Sequence, residues 1–157
     1  MNKVVLFSKE YPPYVYGGAG VHVEYLSQAL AKRIAVEVRC FGDQEITGAN
    51  LSVRGYPEWA EAKEQTDARY VSAVDAFARS LRMAKNRLDA DVVHCHTWYT
   101  DMGGVLASKL WNVPYVLTIH SLEPLRPWKV EQLGNAYHLA RKIHRELAGV
   151  AQAAELA

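Results

Sequence analysis

The sequence predicts an α/β fold of the Rossmann-like kind, a parallel sheet with helices on both faces, in one domain of 157 residues. Two observations predict it. Short β-branched runs alternate with amphipathic stretches along the chain, which is typical of parallel strands joined by helices. The first run is apolar at consecutive positions, as in a strand that is buried on both faces. Half of the residues are hydrophobic, which is enough for one core.

The N-terminal half of the chain supplies three predicted strands and one helix. Lys3–Ser8 is the continuous apolar run, and Gly18–Arg33 carries apolar residues at helical spacing. Ala35–Phe41 alternates between apolar and polar residues and is predicted to be the second strand. Leu51–Gly55 is a short third strand, and the polar segment Gly42–Asn50 before it is predicted to be a turn-rich connection.

The C-terminal half continues the alternation. Asp67–Leu88 has the strongest helical periodicity of the chain, with Thr66 or Asp67 as a candidate cap. Asp91–His96 is the fourth predicted strand, Asp101–Leu110 a helix and Pro114–His120 the fifth strand. Tyr137–Ala157 is an alanine-rich final helix, so the whole chain is predicted to be one domain without a linker.

Composition excludes several classes of function. The formal charge of +1 argues against an electrostatic nucleic-acid binder. No run of 18 apolar residues is present, so no membrane span is expected. Cys40 and Cys95 are too few for a disulfide framework and suit a reducing compartment, which predicts a cytoplasmic protein.

Ligands of parallel α/β sheets bind beyond the carboxyl ends of the strands. That rule selects four stretches in which unusual residues cluster. They are Lys9–Gly20, Cys40–Asp43, His94–Asp101 and His120–Trp128.

The first stretch contains the glycines that open the first helix. Gly17 and Gly18 let a ligand approach the backbone, and the N–H groups of a helix start attract anions, which together predict a phosphate site. The alternative is that these glycines only shape the turn. The dinucleotide pattern G-x-G-x-x-G fails because Val23 follows Gly18-x-Gly20, and no Walker A pattern is present.

Histidines mark the other two stretches. His94 and His96 point to the same face of a strand, but no C-x-x-C or H-E-x-x-H pattern accompanies them, so neither a metal nor another cofactor is expected. His120 ends a buried strand and is placed to donate to a ligand; the alternative is that it caps the sheet structurally. The loop after it carries Glu123, for acceptor contacts, and Arg126, which suits a phosphate or carboxylate.

Hydrolytic chemistry has little support in the sequence. The chain has neither a G-x-S-x-G elbow nor a plausible cysteine–histidine nucleophile pair. Acidic pairs such as Glu10 with Asp101 leave a two-carboxylate glycosidase open until the separation of the carboxylates is known.

Four segments carry a family resemblance. SKEYPPYVYGGAGVHVEYL, VEVRCFGDQ, DVVHCHTWYTDMGGVLASKL and TIHSLEPLRPWKVEQLGNAYHL resemble the N-terminal domain of bacterial glycogen synthases, which are retaining GT-B glycosyltransferases of the glycosyltransferase 4/5 type and include the maltose-1-phosphate synthases. The resemblance covers residues 1–138. It implies the acceptor-side half of a GT-B enzyme that moves glucose from ADP-glucose or UDP-glucose, with retention and without metal, to an α-1,4-glucan or glucose 1-phosphate.

The resemblance also implies residue roles. His120 matches the catalytic-site histidine that contacts the transferred sugar, and Gly17 and Gly18 match the glycine pair near the donor diphosphate. The sugar or acceptor side is matched by Thr97 and Trp98, and Glu10 matches a loop acid of that side; His96, Glu123 and Arg126 are grouped with them.

Two features depart from the family pattern. Tyr16 stands where many glycogen synthases have lysine, and residues 139–157 diverge where the family continues toward a donor-binding second domain. The isolated chain is therefore expected to be inactive. The alternative is a non-catalytic module that binds glucan or forms a homodimer through the face that a second domain would cover.

Overall fold

The structure is a computed structural model and describes residues 1–64, 66–120 and 142. Its described strands and helices alternate along most of the chain. In chain order they are β1 Lys3–Ser8, α1 Gly18–Ala31, β2 Ala35–Phe41, β3 Glu45–Thr47, β4 Leu51–Tyr56, α2 Ala60–Glu64, α3 Val71–Lys85, β5 Val92–His96, α4 Trp98–Trp111 and β6 Tyr115–Thr118.

The described strands form one sheet in the order β3-β4-β2-β1-β5-β6. Every neighbouring pair is parallel except β3 with β4, which is antiparallel. The predicted α/β, Rossmann-like architecture is confirmed. The inner parallel strands have nearly continuous apolar sequences because helices cover both faces of the sheet.

Strand β1 shows how the two faces are filled. Val4 and Leu6 belong to one apolar cluster together with Val23 of α1. Val5 and Phe7 point the other way and belong to a second cluster with side chains of α3 and α4. The side-chain period of two therefore divides one strand between two cores, and the predicted helices on both faces are confirmed.

Two short elements escaped prediction. β3 lies within the segment Gly42–Asn50 that was expected to be only turn, and its three residues are all exposed. Backbone pairing with the antiparallel strand β4 holds it in place. Because none of its side chains is buried, its sequence carries no apolar pattern that would predict a strand. The helix α2 spans five residues, too few for a helical period to be seen.

Two predicted helix starts are wrong. α3 begins at Val71, because Asp67 caps a preceding turn instead, where its carboxylate accepts the N–H of Arg69 at 2.9 Å. α4 begins at Trp98, ahead of the predicted Asp101, because Thr97 turns the chain directly from strand to helix. The predicted helix 137–157 and the loop residues Glu123 and Arg126 lie outside the described residues, apart from Lys142.

The strand order changes direction at β1, because β2 and β4 are added on one side of it and β5 and β6 on the other. Ser8 at the carboxyl end of β1 is paired with Cys40 on one side and with His96 on the other. The topology therefore creates a crevice beyond Ser8 and His96, which is the position at which open α/β sheets bind ligands. No helix in the described part of the chain is long and apolar enough to cross a membrane.

Candidate functional site

The loop from β1 to α1 is organised by Glu10. One carboxylate oxygen, Oε2, accepts the N–H of Tyr16 at 2.9 Å and the N–H of Gly17 at 2.8 Å. Ser8 secures the same residue, since its hydroxyl donates to the Glu10 carbonyl at 2.8 Å. Glu10 is therefore an anchor of the loop before α1, and its contact with a sugar stays a prediction.

The glycines of this loop differ in what requires them. A Cβ on Gly20 would lie 2.9 Å from Glu10 Cβ and 3.0 Å from Val15 Cγ1, so packing requires a glycine there. A Cβ on Gly18 would meet nothing within 4 Å, and one on Gly17 would only touch Glu10 Oε2 at 4.0 Å. The first turn of a helix has N–H groups without partners inside the helix. Gly17 and Gly18 thus leave open space beside such groups, as the predicted phosphate contact requires.

Three histidines meet at the ends of β5 and β6. His96 Nδ1 lies 3.1 Å from His120 Nε2. His94 Nε2 lies 2.7 Å from the hydroxyl of Thr118 on the neighbouring strand. The rings of His94 and His96 have centroids 4.2 Å apart, which confirms that the two side chains share one face. The sequence-predicted residues His96 and His120 are therefore in direct contact.

The hydrogen bond between His96 and His120 fixes their tautomers. A neutral imidazole has one N–H and one bare nitrogen. His96 Nε2 is buried and has no hydrogen-bond partner among the described residues. A buried N–H without an acceptor is rarer than a bare acceptor, so the proton of His96 is assigned to Nδ1, which donates to His120 Nε2. His120 then carries its own proton on Nδ1 and offers it as a donor.

Burial keeps these rings neutral. Loss of hydration, together with the neighbouring histidines, lowers the pKa of His96 to about 3. Burial also lowers the pKa of His94 and of His120, although the carboxylate of Glu10 partly opposes the shift at His120. At neutral pH the cluster therefore supplies hydrogen bonds and no positive charge.

His22 is a neighbour that sequence reasoning missed. It lies one turn into α1, exposed, with its ring centroid 5.1 Å from that of His120 and 5.5 Å from that of His96. Its position four residues after Gly18 was the available signal, because residues four apart share a helix face. His22 therefore connects the glycine loop with the histidine pair.

His22, His96 and His120 are close enough together to be considered as metal ligands. One nitrogen each of His22, His96 and His120 lies within 4.8 Å of the others. A metal held between His96 Nδ1 and His120 Nε2 would displace their hydrogen bond and move the His96 proton to Nε2, which is buried without a described partner. That cost disfavours a metal ion, and we assign none.

Thr97 and Trp98 form the start of α4. Thr97 has φ 72° and ψ 156°, a backbone conformation that is populated almost only by glycine. Trp98 is 5% exposed, and its ring stacks on that of Tyr99 with centroids 4.0 Å apart. Both residues adjoin His96 as predicted, but Trp98 offers little surface, and their contact with a sugar stays a prediction.

A cavity of about 800 Å³ lies beyond Glu10, on the side of β2 and β4. Its size is that of a small-molecule site. Its wall combines tyrosines with both signs of charge. Its charged residues and tyrosines include Lys9, Glu10, Tyr14, Asp43, Glu58, Asp75, Arg79 and Tyr99.

Most charges of this cavity are already paired. The guanidinium of Arg79 contacts Asp75 at 2.7 Å and Glu58 at 3.2 Å. The Asp43 carboxylate accepts the hydroxyl of Tyr14 at 2.7 Å. The ammonium of Lys9 instead lies over the ring of Tyr99, 4.0 Å from its centroid.

Comparison with known proteins places this chain among the glycosyltransferases. The chain belongs to Glycosyltransferase Family 4, whose profile matches residues 16–153. The family match thus extends past His138.

Curated relatives of the chain include two that are named as maltose-1-phosphate synthases and one that is named as a glycogen synthase. The chain is 45% identical over 138 residues to an alpha-maltose-1-phosphate synthase of Mycobacterium tuberculosis, which covers 88% of this chain and 33% of the relative. It is 41% identical to the alpha-maltose-1-phosphate synthase of Mycolicibacterium smegmatis, over 96% of this chain and 36% of the relative. A glycogen synthase of Mycobacterium tuberculosis is 30% identical over 77% of this chain and 34% of its own length. The chain therefore spans about a third of the length of these relatives.

Solved structures overlap less closely. A sucrose-phosphate synthase from Thermosynechococcus elongatus superposes with a TM-score of 0.47 and 16% identity, over 80% of this chain and 67% of that one.

Proposed function

We propose that this chain is the acceptor-side half of a retaining glucosyltransferase. The reaction moves glucose from ADP-glucose, or from UDP-glucose, to an α-1,4-glucan or to glucose 1-phosphate. The observation that carries the proposal is the contact of His96 with His120 beside the open start of α1. Relatives that are named for glycogen and maltose-1-phosphate synthesis support the substrate class.

In this proposal the start of α1 receives the diphosphate of the donor. The helix dipole and the N–H groups of its first turn stabilise the negative charge that develops on the leaving group. Gly17 and Gly18 leave the space for its approach, and Glu10 holds the preceding loop in place.

His120 is the proposed catalytic-site group that touches the transferred sugar. Its Nδ1–H donates to a sugar oxygen, while His96 fixes the tautomer from behind. Because both rings are neutral, they orient the sugar by hydrogen bonds and add no charge that would oppose an oxocarbenium-like centre. The cavity beyond Glu10 is the proposed acceptor site.

The proposal assigns the donor-binding domain to a part of the enzyme that these 157 residues do not match. The relatives devote about two thirds of their length to residues that do not align here. We therefore expect the 157 residues alone to bind ligands and to transfer no measurable sugar. A second domain would close the crevice around the donor.

A chimeric enzyme tests the proposal. These residues replace the matching region of the 45%-identical relative, and transfer of glucose from ADP-glucose to glucose 1-phosphate and to maltotetraose is measured. We expect activity in the chimera and its loss in a His120→Ala chimera. A folded chimera without activity, or a His120→Ala chimera as active as its parent, would contradict the proposal.

Self-association, as a homodimer, stays a separate prediction. Tyr16 is 97% exposed, and Val21 and Tyr25 leave further apolar surface on α1. Sedimentation at two concentrations tests it, and a monomer at both would exclude a stable dimer.

A further inference from the structure

Lys9 is the cation of the cavity whose charge is left unmatched. Among residues 1–64 and 66–120, no side chain makes an ion pair or hydrogen bond with its ammonium group. The four carboxylates of the wall are engaged elsewhere. Glu10 accepts backbone N–H groups, Asp43 accepts a tyrosine hydroxyl, and Asp75 and Glu58 pair with Arg79.

The position of Lys9 makes that unmatched charge costly. The residue follows β1 directly, is half-buried, and faces the ring of Tyr99 at 4.0 Å. A cation–π contact is worth about 0.5–2 kcal/mol, which is a weaker partner than an anion. Burial accordingly lowers the pKa of Lys9 from its ordinary value, and the attraction of the Glu10 carboxylate opposes this shift only in part.

We propose that Lys9 recognises the phosphate of a sugar-phosphate acceptor bound in this cavity, an inference that rests on the proposed function. A lysine ammonium binds phosphate as a point charge with three donors. A cavity of about 800 Å³ has room for a monosaccharide phosphate, and its tyrosines offer flat faces to the sugar ring. Lys9 would then distinguish a phosphorylated acceptor from a neutral glucan.

The surrounding carboxylates make this recognition depend on Lys9. With Arg79 neutralised by its two partners, the remaining acids repel a phosphate dianion. Removing the Lys9 charge should therefore abolish phosphate binding, whereas a neutral sugar should be almost insensitive to it.

The test uses the 157-residue chain and three variants. Binding of glucose 1-phosphate and of maltose is followed by NMR titration for the wild type, Lys9→Met, Lys9→Arg and Lys32→Met. Lys32 is an exposed lysine at the end of α1, so its variant matches the change in net charge. We expect Lys9→Met to weaken glucose 1-phosphate at least about tenfold and maltose less than about twofold. Lys9→Arg and Lys32→Met should retain binding.

Three results would overturn the proposal. They are no binding of glucose 1-phosphate to the wild type, equal binding to wild type and Lys9→Met, and a loss of maltose binding in Lys9→Met by the same factor as for glucose 1-phosphate. The second result would also follow if phosphate occupied only the start of α1. None of them bears on sugar transfer, because the chimera with maltotetraose as acceptor reports the proposed function separately.

Discussion

The helices α1 and α4 both begin at the carboxyl edge of the sheet, yet their first turns differ. α1 follows a loop and opens with Gly17 and Gly18, which have space around them. α4 follows β5 without a loop, and Trp98, Thr100 and Asp101 in its first turn are buried. One helix start is therefore open to a ligand, while the other is closed by packing and serves to hold the end of β5, including His96.

Substitution of one glycine in each helix should give the largest difference in stability between α1 and α4. A Cβ on Gly104 of α4 would lie 2.2 Å from Cys95 Sγ and 2.5 Å from the ring of Tyr115. Gly104→Ala is expected to lower the free energy of unfolding by roughly 3 kcal/mol, since overpacking forces core side chains to move. Urea denaturation measures the loss.

Gly18→Ala is the matched control, because its Cβ meets nothing within 4 Å. Its unfolding free energy should stay within about 0.5 kcal/mol of the wild type. Its affinity for the donor diphosphate should fall instead, if α1 is the open helix start. Equal losses of stability in the two variants would show that Gly18 is packed as tightly as Gly104, against the open space assigned to the start of α1.

The buried Asp101 gives α4 a pH dependence. Burial raises the pKa of this carboxyl to about 7 from an ordinary value of 3.8. Below pH 4 both the folded and the unfolded chain hold the proton. Between pH 4 and 7 the unfolded chain loses it first, so stability falls as the pH rises. Asp101→Asn removes this slope, and the stability of the variant relative to wild type should rise by about 4 kcal/mol from pH 4 to pH 8.

The difference between the two curves is the useful measurement, because His96 acts in the opposite direction. Its pKa is lowered to about 3, so it removes stability as the pH falls below 6.5. Thermal or urea unfolding of both proteins at several pH values cancels that contribution. Asp91, whose pKa is lowered by backbone N–H groups, provides a control of opposite sign in Asp91→Asn. A parallel pair of curves for wild type and Asp101→Asn would contradict the prediction.

The His96–His120 contact is expected to support ADP-glucose binding through the Nδ1–H donor of His96. Asparagine places a donor near the position of Nδ1, whereas leucine has none. His96→Leu should weaken binding of ADP-glucose about tenfold, and His96→Asn less than about threefold. The 15N spectrum of the His120 ring should show the proton on Nδ1 in the wild type. A proton on Nε2, or equal losses in both variants, would contradict the assigned tautomer.

Local patterns made part of this site predictable. A period of two placed His94 and His96 on one face, and the apolar run of β1 predicted a strand buried on both sides. Contacts between distant segments had no such signal. The proximity of His22 to His120 depends on how α1 packs, and the pairing of Arg79 around the Lys9 cavity depends on α3. The start of α4 depends on a single backbone angle at Thr97.

That backbone angle leads to the smallest expected effect. Thr97 has φ 72° and ψ 156°, which costs a residue with a Cβ about 1–3 kcal/mol. Thr97→Gly should therefore be more stable to urea than Thr97→Ala by about 1 kcal/mol, once the extra freedom of unfolded glycine is subtracted. Lys109, exposed in the last turn of α4, is the control, because glycine is less stable than alanine at an ordinary helical position. If Lys109→Gly gained as much over Lys109→Ala as Thr97→Gly gains over Thr97→Ala, the gain would not report strain at Thr97. A gain confined to position 97 would instead mean that the closed helix start holds His96 in place at the expense of backbone strain.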